Sequence, residues 1–235
     1  MLHPSLIGAR ACVFDAGGTL IHPDWPRLAR LAADVAGREF GADEMRRAMG
    51  EVLKGVGSEM QKTAAPAHDE TKRHWLFRRI FTALGLNDAA CDCVTGRLDA
   101  AHDERHLWCG PDADAPRVLE ELKREGLMLA VISNTEDGRI QDALETAGLA
   151  SHFDLLVDSH VVGCRKPDAS IFRLALRRLG VEARDAAFVG DSYAHDALAA
   201  RAVGMRAILL DPFGLHPESV CPRVEGLGDL IRGAV

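Results

Sequence analysis

Five short apolar runs, each followed by an amphipathic stretch, constrain the fold of this chain more than any other feature. Most of these runs end in Asp, Ser-Asn or Gly-Asp. Repeated units of a short apolar run and a helical pattern are typical of the βα alternation that builds a parallel sheet. The runs are ACVFD (11–15), LMLAVISN (127–134), FDLLVD (153–158), AAFVGD (186–191) and RAILL (206–210).

The stretches between these runs have the periodicity of amphipathic helices. Each of them ends close to a glycine, which is common at helix C-termini. The predicted helices are Ala115–Arg124, Ile140–Ala147, Ile171–Leu179 and Ala194–Val203.

Residues 22–109 have a different pattern, with helical periodicity and no comparable strand run. Residues 55–68, which contain Gly55, Gly57 and Pro66, are predicted to form a loop. The helices are predicted at Leu28–Phe40, Met45–Leu53, Thr71–Leu84 and Ala89–His106. We therefore expect two domains, an α/β core of residues 1–21 and 110–235 and a helical insert of residues 22–109.

Composition excludes several kinds of partner. The formal net charge of −7 argues against nucleic acid, because binding a phosphate backbone requires clustered Lys and Arg. No apolar run reaches the length of about 18 residues that a membrane helix needs, and the N-terminus has no secretory pattern, so we expect a cytoplasmic protein with no membrane partner.

The six cysteines are predicted to be free thiols. The sequence does not predict an oligomeric state.

Polar residues stand where the predicted strands end. Ligands of an open parallel sheet bind outside the carboxyl ends of its strands, so these residues are expected to meet in one crevice. Arg165-Lys166-Pro167 follows the third run and precedes a predicted helix. The residues at or just after strand ends are Asp15, Ser133, Asn134, Asp191 and Asp196.

Four of these segments, FDAGGTL, VISN, RKPD and GDSYAHD in that order, closely resemble the signature motifs of the haloacid dehalogenase superfamily. The resemblance covers nearly all of the chain outside the helical insert. It implies an α/β fold with a Rossmann-like parallel-sheet core and a helical cap domain inserted after the first strand. Residues 22–109 stand where that cap belongs.

The resemblance also implies a reaction. Asp15 would attack the phosphorus of a small phosphorylated molecule and form an aspartyl-phosphate that water later hydrolyses. Two anions must then approach each other, and a hard divalent cation held by oxygen ligands offsets their repulsion. Mg²⁺ is the implied cofactor, with Asp15, Asp191 and the backbone carbonyl of Gly17 as ligands and Asp196 acting through water or from behind the ligands.

The remaining motif residues would hold the phosphoryl group. Lys166 would offer its ammonium to the phosphoryl oxygens and to Asp15, and Ser133 and Asn134 would add hydrogen bonds. Gly17 and Gly18 would let the backbone curl around the oxygens. Most of these residues also have a plain structural interpretation, which is helix capping for Asp191 and Asp196, a turn for Ser133-Asn134 and a surface position for Lys166. Capping does not explain Asp15.

Gly17 departs from the family pattern, because phosphatases of this family usually have a second Asp there as general acid and base. Loss of such catalysis is worth roughly 10²- to 10⁴-fold in rate. The substrate could have a good leaving group, such as an acyl or aryl phosphate, or the protein could bind phosphate without turnover. Alternatively another side chain substitutes, with candidates His22, Asp24, His68, Asp69 and His74.

Two other reactions of the superfamily also proceed without that Asp. Haloacid dehalogenases use the same nucleophile without a metal, but their fourth motif does not resemble GDSYAHD. Phosphonoacetaldehyde hydrolases keep the metal site and use a cap lysine as a Schiff base, for which Lys54 is the candidate. A third alternative, from a different class, is a non-catalytic phosphate-binding or interaction module.

Overall fold

The computed structural model describes the backbone of residues 1–62 and 74–232 and the side chains of 1–55 and 74–232. The chain divides into two compact units, one of Met1–His22 with Trp108–Val235 and one of Pro23–Leu107. We call the first the sheet unit and the second the helical unit. Their assignment to a catalytic core and a cap stays a prediction.

A parallel six-stranded sheet organises the sheet unit. Its order is β5-β4-β1-β6-β7-β8, and each neighbouring pair is parallel. The five apolar runs form five of these strands, and the predicted α/β fold class is confirmed. The described strands are β1 Ala11–Phe14, β2 Ile21–Pro23, β3 Trp108–Pro111, β4 Met128–Ser133, β5 Leu155–Asp158, β6 Ala186–Gly190, β7 Arg206–Leu210 and β8 Arg223–Val224.

Most connections between strands contain helices. A π-helical turn, Tyr193–Leu198, precedes α9. The described α-helices are α1 Trp25–Ala36, α2 Ala42–Lys62, α3 Trp75–Ala83, α4 Asp88–Glu104, α5 Ala115–Arg124, α6 Ile140–Thr146, α7 Ser159–Val162, α8 Ala169–Leu179, α9 Ala199–Ala202 and α10 Asp229–Arg232. None of the described helices has both the length and the apolar character needed to cross a bilayer.

The sheet is buried on both faces. Cys12 and Phe14 of β1 belong to a core cluster with residues of α5 and α6, whereas Ala11 and Val13 belong to a second cluster with residues of α8 and α9. This alternation follows from the two-residue period of a strand. Helices on both faces explain why the strand sequences are almost continuously apolar.

The helical unit has its own core. Each of the four helices described in this unit contributes a fully buried side chain. Helices α2 and α4 both pack against α1 and α3. The buried side chains include Leu28 of α1, Met45 of α2, Phe81 of α3 and Leu98 of α4.

Three local predictions are wrong. Strands β2 and β3 lie at the ends of the segment predicted to have none, and they pair in a separate two-stranded sheet. Helix α2 continues through Gly55 and Gly57 to Lys62, because each glycine costs a helix only about 1 kcal/mol and does not forbid it. The helix predicted at 194–203 is π-helical in its first part. Residues 63–68 of the predicted loop lie outside the described residues.

Candidate active site

The predicted site residues lie at one edge of the sheet. Asp15 follows β1, Ser133 ends β4 and Asp191 follows β6. Because β1 lies between β4 and β6, the carboxyl ends of these three parallel strands are adjacent. The backbone N–H of Asp15 donates to the carbonyl of Val189 at 2.9 Å, which ties the start of the first motif to β6.

The ammonium of Lys166 is shared by two carboxylates. Its Nζ lies 2.5 Å from Asp15 Oδ1 and 2.6 Å from Asp196 Oδ1. Asp196 is 1% exposed, Lys166 3% and Asp15 7%, so water screens these charges little. The second oxygen of Asp196 accepts the backbone N–H of Ser192 at 3.0 Å.

A third carboxylate completes a cluster that could hold a metal ion. Carboxylate oxygens of Asp15, Asp191 and Asp196 all lie within 4.8 Å of one another. A Cβ at Gly18, where φ is +89°, would lie 2.3 Å from Asp191 Oδ2, so only glycine fits there. Three carboxylates with one ammonium carry a net negative charge, and hard oxygen donors in this arrangement fit Mg²⁺.

Burial and nearby charges shift the pKa values of Asp15, Asp191 and Lys166. Burial raises the pKa of Asp15 to about 6, and Asp196 adds to this rise while Lys166 opposes it. Burial, followed by the charges of Asp15 and Asp196, raises the pKa of Asp191 well above its ordinary value. Burial by itself would lower the pKa of Lys166, but Asp15 and Asp196 together raise it. The Lys166 ammonium is therefore charged. Its single positive charge is not enough to keep the pKa values of Asp15 and Asp191 at their ordinary level.

Asn134 contacts the backbone of Lys166. Its Nδ2 donates to the carbonyl oxygen of Lys166, and its Oδ1 accepts the N–H of Lys166, both at 2.9 Å. Ser133, the residue before it, is 5% exposed and pairs in register with Asp158 of β5.

Gly17 and Thr19 shape the turn after Asp15. A Cβ built on Gly17 would lie 3.4 Å from Cε3 of Trp108, which is an ordinary van der Waals contact. The Oγ1 of Thr19 is buried and has no hydrogen-bond partner among the described residues. The geometry therefore leaves room for a small side chain at position 17.

The described substitutes for the missing acid are engaged elsewhere. His22 Nε2 lies 3.3 Å from Asp112 Oδ2, and Asp24 caps α1 by accepting the N–H of Arg27 at 3.2 Å. His74 Nε2 lies 2.9 Å from Asp99 Oδ1. His68 and Asp69 lie outside the described residues. Lys54 is about half exposed and pairs with Glu51 at 3.3 Å, which does not suit a Schiff-base amine.

Sequence reasoning missed two residues that support the site, Ser192 and Asp158. Asp158 is 6% exposed and accepts hydrogen bonds from the Thr135 hydroxyl, from the N–H of Ile140 at 3.2 Å and from that of His160 at 2.9 Å. Its position at the end of the FDLLVD run is the signal that could have identified it, because Asp15 and Asp191 also stand at the ends of apolar runs.

Comparisons with protein-family models and with known sequences agree on one family. A family model described as haloacid dehalogenase-like hydrolase matches residues 9–204. The haloacid dehalogenase-like hydrolase domain-containing protein 3 of Bos taurus is 33% identical over 224 residues, which cover 92% of this chain and 86% of that protein. The phosphoserine phosphatase of Thermus thermophilus is 44% identical over 108 residues, 46% of this chain and 42% of that protein.

Some of these similarities are partial. The alignment with the Mus musculus protein of the same name as the bovine one covers 57% of its length. Among solved structures, a dehalogenase with an intermediate complex has a TM-score of 0.62 at 24% identity, over 95% of this chain and 96% of that chain. At this identity the likeness concerns the fold, a Rossmann-like core with a cap.

Proposed function

The chain belongs to the haloacid dehalogenase-like hydrolase family, as its motifs predict, and we propose that it is a Mg²⁺-dependent phosphatase for a small phosphorylated metabolite. The observation that carries the proposal is the cluster in which the buried Asp15 carboxylate shares the ammonium of Lys166 and has an oxygen within 4.8 Å of an Asp191 carboxylate oxygen. A phosphatase name among the relatives supports the choice of phosphate esters over other substrates of hydrolases.

In the proposed reaction, an Asp15 oxygen forms a bond to phosphorus while the bond from phosphorus to the leaving-group oxygen breaks. Water then attacks the aspartyl-phosphate, which returns free Asp15 and inorganic phosphate. Asp15, Asp191 and the Gly17 carbonyl would hold Mg²⁺, with Asp196 behind them. Bound Mg²⁺ supplies positive charge that offsets the repulsion between Asp15 and the phosphoryl group.

The other motif residues would bind and orient the phosphoryl group. Lys166 reaches Asp15 already, so a phosphoryl oxygen bound to Asp15 would lie near the same ammonium. The Ser133 hydroxyl and the backbone N–H groups of Gly17 and Asn134 would donate further hydrogen bonds, whereas the N–H of Gly18 already donates to the carbonyl of Ile21 at 2.8 Å. These assignments rest on the positions of the residues in the motifs and on the adjacent carboxyl ends of β4, β1 and β6.

Gly17 limits the proposed substrates to those with good leaving groups, because it cannot protonate a departing alkoxide. Acyl and aryl phosphates fit this limit. The half-exposed Lys54 weighs against the phosphonoacetaldehyde hydrolase alternative. The cytoplasmic location stays a prediction from the sequence.

Release of inorganic phosphate from p-nitrophenyl phosphate, with and without Mg²⁺, tests the proposal. We expect turnover that requires Mg²⁺ and that falls at least about 10³-fold in Asp15→Asn and Asp191→Asn, since each removes a group that the reaction needs. Asp142→Asn, on the exposed face of α6, is the matched control and should keep the wild-type rate. An unaffected rate in Asp15→Asn would reject the mechanism, and Mg²⁺ binding without any turnover would favour a non-catalytic module.

A further inference from the structure

One side chain pairs with both backbone polar groups of Lys166. Asn134 Nδ2 donates to the Lys166 carbonyl, and the Lys166 N–H donates to Asn134 Oδ1, each at 2.9 Å. Lys166 lies in the segment between α7 and α8, which has no strand or helix of its own. The Asn134 amide therefore links this irregular segment to the end of β4.

The chemistry of the contact requires a primary amide. A carboxamide presents a donor and an acceptor side by side in one plane, which matches the N–H and C=O of a single residue. The side chain thus takes the place that a neighbouring strand would take in a sheet. A carboxylate of the same shape would keep the acceptor but would turn a second acceptor toward the Lys166 carbonyl.

The backbone position of Lys166 decides where its ammonium goes. The lysine side chain is long and has many rotamers, whereas Nζ must reach Asp15 Oδ1 and Asp196 Oδ1 together, at 2.5 and 2.6 Å. A segment without regular structure would otherwise leave the starting point of that side chain undefined. Two hydrogen bonds from one planar group define it.

The backbone that follows Asn134 is held in place by two hydrogen bonds of Thr135. The N–H of Thr135 donates to Ser159 Oγ at 3.1 Å, and the Thr135 hydroxyl donates to Asp158 at the end of β5. Strand β4 ends at Ser133 on one side of Asn134, and this anchored turn follows on the other. The amide of Asn134 is therefore presented by a backbone that is fixed in both directions.

We propose that the side chain of Asn134 is a positioning residue, which holds Lys166 so that its ammonium bridges Asp15 and Asp196. This differs from the substrate contact that the motif position suggested for Asn134. Ser133 and Asn134 then have different roles. Ser133 donates a hydrogen bond to the phosphoryl group, whereas Asn134 holds Lys166, whose ammonium is the other contact of the phosphoryl group. Only the kinetic part of the inference rests on the proposed phosphatase function.

The test measures the reactivity of the Lys166 amine in the native protein. Limited acetylation with acetic anhydride, followed by peptide mass spectrometry, gives the labelling rate of Lys166 relative to the exposed Lys123 in wild type, Asn134→Ala and Asn134→Asp. We expect Lys166 to be labelled at least tenfold faster in both variants, because the ammonium leaves its buried ion pairs. Asp168→Ala is the matched control, since it removes the cap of α8 two residues away and leaves the Asn134 contact in place.

Kinetics give a second readout. With an aryl phosphate, we expect kcat to fall at least tenfold in Asn134→Asp while KM stays within about twofold of wild type, and Asp168→Ala to keep both values. Unchanged labelling of Lys166 in both Asn134 variants would overturn the inference, as would a KM effect alone, which indicates substrate contact. Absence of turnover in the wild-type protein would reject the proposed function, and the labelling ratio would still decide the role of Asn134.

Discussion

Asp15, Asp191 and Asp196 are three carboxylates in a small volume with a single ammonium between two of them. Burial and mutual repulsion raise the pKa values of Asp15 and Asp191, so ionising these two groups is harder in the folded chain than in the unfolded one. Their contribution to stability is then fully present below the ordinary pKa of 3.8 and is lost as the pH rises from there through about 6 for Asp15, and through a higher value for Asp191. A bound divalent cation would reverse this loss.

Neutralising Asp191 should therefore stabilise the metal-free protein. We expect Asp191→Asn to raise the melting temperature in EDTA at pH 7.5 and to have little effect at pH 4, because the wild-type carboxyl is protonated there. In the same variant, the stabilisation that wild type gains from millimolar Mg²⁺ should disappear. Differential scanning fluorimetry at both pH values measures these shifts.

Asp142→Asn is again the control, since Asp142 is an exposed carboxylate paired with Arg139 across one helical turn. Its melting temperature should change by a degree or less, with the Mg²⁺ effect retained. A lower melting temperature for Asp191→Asn in EDTA would contradict the interpretation of the cluster as a site short of positive charge.

Gly17 can be converted to the residue that the family pattern predicts. A Cβ there makes only van der Waals contact with Trp108, and φ at this position lies outside the left-handed region, so Gly17→Asp should fold. We expect it to raise kcat/KM for alkyl phosphates by roughly 10²- to 10⁴-fold and to leave aryl phosphates nearly unchanged, because only a poor leaving group needs a proton. Steady-state rates for the two ester classes give the comparison.

The matched variant is Gly17→Asn, which has the same size and cannot donate the proton. It should leave both ester classes close to wild type. Equal gains for alkyl and aryl esters in Gly17→Asp, or an equal gain in Gly17→Asn, would show that the glycine does not limit the reaction through a missing acid.

Among the secondary-structure elements, helix α2 shows that apolar periodicity does not by itself mark where a helix ends. Its apolar positions predicted a helix that stops before Gly55, and the structure continues it to Lys62. Glycine lowers helix propensity but leaves the hydrogen-bond ladder possible, so neighbouring residues decide. At Gly37, by contrast, φ is +67° and helix α1 ends.

The same substitution should have opposite effects at these two glycines. Gly55→Ala replaces a glycine inside a helix, where a Cβ meets nothing within 4 Å, and should raise the free energy of unfolding by about 0.5–1 kcal/mol. Gly37→Ala places a Cβ in a left-handed conformation and should lower it by about 1 kcal/mol. Urea titrations of both variants measure the difference, and shifts of the same sign would contradict this account of α2.

The elements that the sequence missed are short or depend on distant contacts. Strand β8 has two residues, too few to show a period. The π-helical turn contains Asp196, whose carboxylate accepts from Ser192 and pairs with Lys166. Helical periodicity contains no information about such a contact, so the turn was predicted as ordinary α-helix.

At the scale of the whole molecule, strand order brings the motifs together. Asp15 and Lys166 are 151 residues apart in the chain, yet their charged atoms lie 2.5 Å apart. The order places β1 between β4 and β6, so the residues that end these strands meet at one edge. The apolar runs predicted a parallel sheet, but any of several strand orders satisfies the same runs.

Periodicity and motif spacing are local properties of the chain, so the sequence was enough to predict the α/β class and the residue types at the strand ends. The folded arrangement was needed to show that the Lys166 ammonium bridges Asp15 and Asp196 and that the Asn134 amide pairs with the Lys166 backbone. Distances between side chains far apart in sequence depend on strand order, register and the path of irregular segments, and none of these has a period that the sequence displays.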